Sequence, residues 1–514
     1  MKLAFLSYKI ILFGAALMLL ITHQDLRSLT PDDSISRQDS SAGSTSGDTF
    51  SGQDEMVRFN EKREFNFYTT PFHSLSASIK GEVKFSDDFQ DIIGISPGGY
   101  FMIKERRLFT TEMLEVTAGS DRKPHFRYRL RGRQFDYDAD ARAWMQQVLP
   151  EVLERSGILA ESRIRKYMAS DDVDAALGEI SRLSSNHLKG EYYQMLAGYD
   201  GLSDKERIEL IRAAGREISS SSELRATLEG IMEAMPDTPD VNQELLYSAG
   251  EISSSSEKSQ AIRSVAQSRT IDPRTAAAMA GMIETIASSS EKSLALRTMA
   301  VHCRSDEAAL TSYLEAAETI SSSSERAQAL EALIEAAPTF PAGWAQLAAG
   351  AATIASSSEH SRVLRSAAQV CPSTPDVWSA YFNAAEQISS SSEKAAALQA
   401  ALERDDFTGA FLASAYPAVI SVSSSSEKGR VLSSAAAIVL PESAAVDAFL
   451  NAAATISSSS ELERVLTDLL SRADLPRPAL QAIGQFTEQH LHSSSSRENV
   501  QRLVLQRMGD AEKE

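Results

Sequence analysis

Ile320-Ser321-Ser322-Ser323-Ser324-Glu325 is the stretch on which the reading of this 514-residue chain turns, because it recurs. Versions of it open at Ile218, Ile252, Ile286, Ile320, Ile354, Ile388, Val422 and Ile456. Successive copies are always 34 residues apart. A fixed period of this size marks a repeat architecture. Each unit cannot bury its apolar face alone, and stacking against neighbours completes the core.

Comparing the copies assigns a role to each position. With the opening residue as +0, serine stands at +2 and glutamate at +5 in every copy. The pairs are Ser220/Glu223, Ser254/Glu257, Ser288/Glu291, Ser322/Glu325, Ser356/Glu359, Ser390/Glu393, Ser424/Glu427 and Ser458/Glu461. Ser-x-x-Glu is the capping box, in which the serine oxygen accepts the N–H three residues on and the glutamate reaches back to the serine N–H. Ala287 and Ala355 replace serine at +1, outside the box. Losing an N-cap costs about 1 kcal/mol, so substitution outside it fits +2 as the cap. Helix B is therefore expected from +3 to about +16.

Position +10 is apolar throughout: Leu228, Ile262, Leu296, Leu330, Leu364, Leu398, Leu432 and Leu466. Position +14, on the same helical face, is apolar too, as at Ala300 and Leu470. Prolines such as Pro236/Pro239, Pro338/Pro341 and Pro372/Pro375 end helix B and start helix A of the next layer. Four residues before the opening Ile stand Ala214, Ser248, Ala316, Gly350, Ala384, Ala418 and Ala452, with Met282 the exception, so the helices can approach closely. The expected fold is mainly α: an α/α solenoid of 34-residue helical hairpins over 201–490. Trp344 and Trp378 recur at an otherwise apolar position, so core packing is preferred over a ligand groove. Cys303 and Cys371 sit two layers apart, roughly 20 Å at about 10 Å per layer, too far for a disulfide. Leu183-Ser184-Ser185-Asn186 is a divergent copy within a helical connector and capping repeat over 138–200. His492-Ser493 through Ser496-Arg497 opens a C-terminal cap and tail over 491–514.

The N-terminal part differs. Lys2 and Lys9 precede the apolar run Ile10–Ile21, the pattern of an export signal. No small-x-small cleavage site follows, which favours an uncleaved signal anchor in 1–22 over a cleaved signal peptide. The hydrophobic helix would enter the membrane through residues 3–21 and leave the body outside the cytoplasm. Cleavage would instead make the protein secreted or periplasmic. Residues 23–57, rich in Ser, Gly and Asp, read as a flexible linker. Over 58–137 the apolar period becomes two, with Gly turns between short runs, so a small antiparallel β-meander is expected, packed on a helix carrying Trp144, Val148 and Leu149. Arg127, Arg129, Arg131 and Arg133 are assigned to one strand face, with Arg106 and Arg107 nearby. Two readings stay open: contact with an anionic surface, or a solvated face paired with carboxylates such as Glu112 and Glu115.

The net charge of −19 argues against a nucleic-acid partner. No Walker loop, dinucleotide Gly fingerprint, nucleophile elbow or His-Glu-x-x-His pair is present, and His490/His492 lack further ligands nearby. No cofactor, metal or catalytic residue is expected. The chain resembles HEAT-like and tetratricopeptide-length helical arrays of exported or membrane-bound bacterial proteins. It does so in the repeat motif, in Ile95-Ser96-Pro97-Gly98-Gly99-Tyr100 and in Gly178-Glu179-Ile180-Ser181. Some of those arrays extend antibiotic-sensor-type membrane metallopeptidases. Plain serines replace the acidic-aromatic motif of those arrays. Stacked repeats create extended surfaces, so the expected function is a non-enzymatic, membrane-tethered scaffold that binds a protein partner; the alternative, in line with the resemblance, is a regulatory or sensory accessory of a membrane protease or signal transducer.

Overall fold

The computed structural model describes residues 56–69, 73–86, 89–119 and 123–510. The expected N-terminal hydrophobic helix lies outside them, as does most of the linker.

Period-two alternation builds a seven-stranded antiparallel sheet. Its strands are β1 (Met56–Thr69), β2 (His73–Phe85), β3 (Ile92–Ile95), β4 (Tyr100–Arg107), β5 (Thr110–Ala118), β6 (Pro124–Leu130) and β7 (Arg133–Phe135). The order is β1-β2-β4-β5-β6-β7, with β3 paired to the end of β2. One face is apolar: Leu75, Ile79, Phe101, Ile103, Leu114, Val116 and Tyr128 are buried against helix α1 (Ala139–Ser156), which supplies Trp144, Met145, Val148, Leu149 and Val152. Asp138 caps α1 by accepting the N–H groups of Asp140 and Ala141. β1 takes in Met56 and Val57, which composition assigns to the linker. Val57 pairs with Val83, and the charges at Arg58, Glu61, Lys62 and Glu64 hide this strand from a hydropathy reading.

Helices make up the rest. The hairpin at Ile320 shows the unit: helix A, Glu307–Glu318, ends before Ile320, and helix B, Ser323–Ala336, follows the serines. The next unit repeats it with Pro341–Ala352 and Ser357–Val370. Pro239, Pro273, Pro341 and Pro375 each begin a helix A, where the missing N–H costs nothing. Every +0 and +10 residue is buried. Leu183 and Leu491 occupy the +0 place in one further hairpin at each end of the array, and both are buried. Trp344 and Trp378 are buried, with indole N–H groups donated to Pro338 O at 2.9 Å and Ser373 Oγ at 2.9 Å. Cys303 and Cys371 are free thiols. Burial raises both pKa values, to about 12 and about 11. The sheet with α1 and the solenoid have separate apolar cores, divided between Leu159 and Ala160.

Candidate interaction surfaces

The serine edge is bonded from layer to layer. At +2, Ser220, Ser288, Ser322, Ser356, Ser390, Ser424 and Ser458 accept the +5 N–H, while Ser254 is an N-cap without that bond. The expected second half of the box is not made. None of Glu223, Glu257, Glu291, Glu325, Glu359, Glu393, Glu427 and Glu461 closes a reciprocal bond to its capping serine. The reciprocal box forms instead at Ser203/Glu206. In three copies the +2 N–H is met from outside the layer, which removes the donor the glutamate would take. Ser254, Ser390 and Ser424 N–H donate to Ser221, Ser357 and Ser391 Oγ at 3.2, 3.2 and 3.3 Å. Those +3 hydroxyls also meet the +1 serine of the next copy, as in Ser221–Ser253 at 3.0 Å and Ser391–Ser423 at 2.7 Å. Asn186 supplies the first rung, bonding Ser219 through both amide atoms. The +4 hydroxyl contacts the capping serine, as in Ser424–Ser426 at 3.0 Å.

The glutamates take other roles. Glu257 pairs with Arg225, Glu359 with Arg362, Glu427 with Arg430 and Glu461 with Arg464. Glu223 faces the His187 ring of the preceding layer at 3.4 Å. Glu291 and Glu393 join layers through the backbone: their carbonyls accept from Ser259 and Ser361 Oγ at 3.2 and 2.9 Å.

A second row ties the same edge. Lys258, Lys292, Lys394 and Lys428, at +6, are buried. Their Nζ atoms donate to Thr285, Thr319, Ser421 and Thr455 hydroxyls of the next layer at 3.1, 2.8, 2.7 and 2.9 Å. Arg326 does the same to Thr353. Each hydroxyl in turn donates to the last turn of its helix A, as Thr319 does to Ala316 O at 2.7 Å. Those last turns carry no basic residue of their own, so each cation meets the negative end of the next layer's helix dipole. Burial lowers the pKa of each of these four lysines. The sequence reading missed this row, although its signal is present: Lys or Arg at +6 goes with Thr or Ser just before the next opening residue. The remaining +6 residues are Leu224, Leu462 and His360. His360 is 2% exposed, its Nε2 has no partner among the described residues, and burial lowers its pKa to about 4.

The opposite edge uses arginine. Arg404 donates to Ala368 O and Cys371 O of the preceding layer, both at 2.7 Å, and is held by Asp406 at 2.5 Å. Arg472 repeats this with Ala436 O, Val439 O and Asp474. Carbonyls left over at helix C-termini are thereby satisfied from the next layer.

The arginine face is smaller than expected. Arg127 and Arg129 are exposed on β6, and Arg127 opposes Glu115 with an N–O separation of 3.6 Å. Arg131 is not in the strand: it lies in the β6–β7 turn with φ 51°. Arg133 is on β7 opposite Leu130, hence on the other face. A one-residue step flips a strand side chain, and the hairpin between Leu130 and Arg133 breaks the alternation. On the helix-facing side, Glu105 is 4% exposed and accepts from Trp144 Nε1 at 3.0 Å and Arg107 Nε at 2.7 Å, with His73 Nε2 at 2.9 Å. Burial opposes its ionisation, but these bonds outweigh burial and hold its pKa below the ordinary value. The cluster fastens α1 to the sheet.

Three open concavities stand out among the described residues, one of them, of about 700 Å³, lying between Arg477–His490 and Ser494–Asp510 and lined by Gly484, Glu488, Gln501, Val504 and Leu505. A cleft of about 690 Å³ separates β1 from the first solenoid helices and is lined by Arg58, Phe59, Arg63, Arg165, Glu191 and Tyr192. A groove of about 330 Å³ lies between neighbouring A helices, with Leu314, Leu330 and Gly350 as floor and Glu315, Glu318 and Arg326 around it. Among the described residues no cluster of His, Cys, Asp and Glu could hold a metal ion, and no helix is long and apolar enough to cross a membrane. His490 stacks on Phe486.

No family model matches the chain, and no curated protein matches it. Solved structures similar to it include designed proteins. One is an engineered protein at 17% identity, covering 66% of this chain and 98% of that one, with TM-score 0.22. Another is a circular tandem repeat protein at 11% identity, covering 73% and 79%, with TM-score 0.14. A third, from the design of self-assembling cyclic homooligomers, has 14% identity, coverage of 67% and 99%, and TM-score 0.11.

Proposed function

We propose that the chain is a non-enzymatic scaffold, tethered to a membrane outside the cytoplasm through residues 3–21, whose solenoid holds a protein partner. The observation that carries this reading is the groove between Glu307–Glu318 and Pro341–Ala352. Elsewhere along both edges polar groups are bonded between layers. Here the small residues Ala349 and Gly350 leave an apolar floor between the carboxylates of Glu315 and Glu318 and the bonded Arg326–Thr353 pair. Such a site fits one or two apolar side chains of a partner flanked by basic residues. Stacked hairpins supply an extended surface around it.

A photocrosslinker at exposed Ala349 of the full chain, in native membranes, tests the reading. The expected result is one discrete crosslinked protein, lost when Leu314→Asp is added. No discrete product, or the same product from Ser222 on the serine edge, overturns it. A membrane protease or transducer as the product would select the sensory-accessory reading.

A further inference from the structure

We propose that the β4–β5 hairpin tip docks on an anionic lipid surface, with Leu108 and Phe109 entering the interface and the surrounding arginines meeting lipid phosphates. The tip is a two-residue loop, since Arg107 pairs with Thr110. Phe109 is 90% exposed and Leu108 62% exposed. Leu108 has φ 39°, in the left-handed region where hairpin turns prefer Gly or Asn. Stability therefore gives no reason for an apolar pair here: the side chains lack core contact and the backbone favours another residue.

The charges around the tip identify what covers it. Arg106 precedes the loop on the outer face, and Arg107 is on the helix-facing side beside buried Glu105. The β6–β7 turn lies alongside, because Arg131 N–H donates to Thr111 O at 2.7 Å. That neighbour places exposed Arg131 beside Thr111, with exposed Arg133 opposite Leu130 on β7 and exposed Arg129 farther back on β6, opposite Met113. Glu112 is the half-buried carboxylate on this side and accepts from Tyr128 at 3.0 Å. An apolar point inside a basic collar suits an anionic bilayer, where each basic residue near the surface contributes about 1 kcal/mol. Because the chain as a whole carries −19, repulsion of the body limits contact to the tip. The proposal needs no membrane span and is independent of the fate of residues 1–22.

The test uses the full chain with F109C bearing an environment-sensitive nitrobenzoxadiazole label. Cys303 and Cys371, at 0% and 2% exposure, are shielded from labelling in the folded protein. Vesicles of phosphatidylcholine alone are compared with vesicles containing about 30 mol% phosphatidylglycerol. The label is expected to shift to the blue and brighten only on the anionic vesicles, with the same label at S222C unchanged. R129E/R131E, folded by circular dichroism, is expected to weaken the response at least about tenfold. An equal response on neutral vesicles, or none on either, overturns the proposal. So does a response to soluble polyphosphate, or a concentration-dependent response without vesicles, which would assign the tip to a polyanion or to a second copy. Because the label reports on the tip alone, a chain held to vesicles by residues 3–21 but silent at position 109 leaves the tether standing and removes this docking.

Discussion

The serine edge of the solenoid and the β4–β5 hairpin tip look opposite in sequence and in structure. In sequence, four serines before a glutamate resemble a solvated or modifiable tract, whereas Leu108-Phe109 resembles strand interior. In the structure the serines are absorbed into the scaffold. The +2 hydroxyl caps its own helix, and the +3 hydroxyl bonds the next layer, as Ser391 does to Ser423 and Ser424. The apolar pair instead stands in solvent. Polarity is therefore a poor guide to availability here. What matters is whether the surrounding backbone leaves a group unsatisfied. Helix ends supply donors that serines can meet, while a two-residue hairpin turns its side chains away from any core.

Substitutions on the two regions should separate accordingly. The largest loss is expected from Lys428→Glu. It replaces a buried cation at the end of helix A, Ser443–Ala453, with an anion facing Thr455 and the negative end of the dipole. Removing a buried charge partner costs about 3–5 kcal/mol. Site-resolved hydrogen exchange over 425–453 measures the loss locally, which suits a long array whose unfolding need not be two-state.

His360 gives the next effect. Its folded pKa of about 4 lies below the ordinary value near 6.5. The unfolded chain gains a proton first as pH falls, so this contribution is complete above about 6.5, declines between 6.5 and 4, and levels off below. The span is on the order of 3 kcal/mol. His360→Leu, the residue type at Leu224 and Leu462, should flatten that part of the stability profile. An unchanged slope from pH 7 to 4 would show that other groups carry it.

Within the serine edge, Ser391→Ala removes the acceptor for the N–H groups of Ser423 and Ser424 and should cost about 1–2 kcal/mol. Ser423→Ala should cost under about 0.5 kcal/mol, because Ala287 and Ala355 already occupy that position. Equal losses in urea unfolding would contradict the layer-to-layer role of +3. Last, Leu108→Gly should leave stability unchanged or raise it by up to about 1 kcal/mol by relieving the left-handed residue. A loss above that size would mean that Leu108 packs on the protein, and the contrast between the regions would disappear.

Much of the solenoid was legible because each rule is repeated. The 34-residue step, the buried +0 and +10 residues, the caps and the proline starts are local or periodic, and local geometry follows from local sequence. In three copies the glutamate half of the capping box fails where a local rule assumes that the +2 N–H has no other acceptor. For Ser390 and Glu393 the preceding layer supplies one in Ser357. β1 was less legible because its apolar residues are separated by charges and its partner strand supplies the reason for it. Arg133 was misplaced because face alternation fails across an unrecognised two-residue turn.

The sequence by itself determined the repeat, its period, the helix boundaries and the core face, since serine capping and 3.6-residue periodicity act within one unit. Only the tertiary structure decided where the leftover polar groups go. The +3 serine, the +6 lysine and Arg404 each find their partner in an adjacent layer, between 27 and 36 residues away. It also decided that Leu108 and Phe109 have no core to join, because exposure depends on what the rest of the chain leaves uncovered.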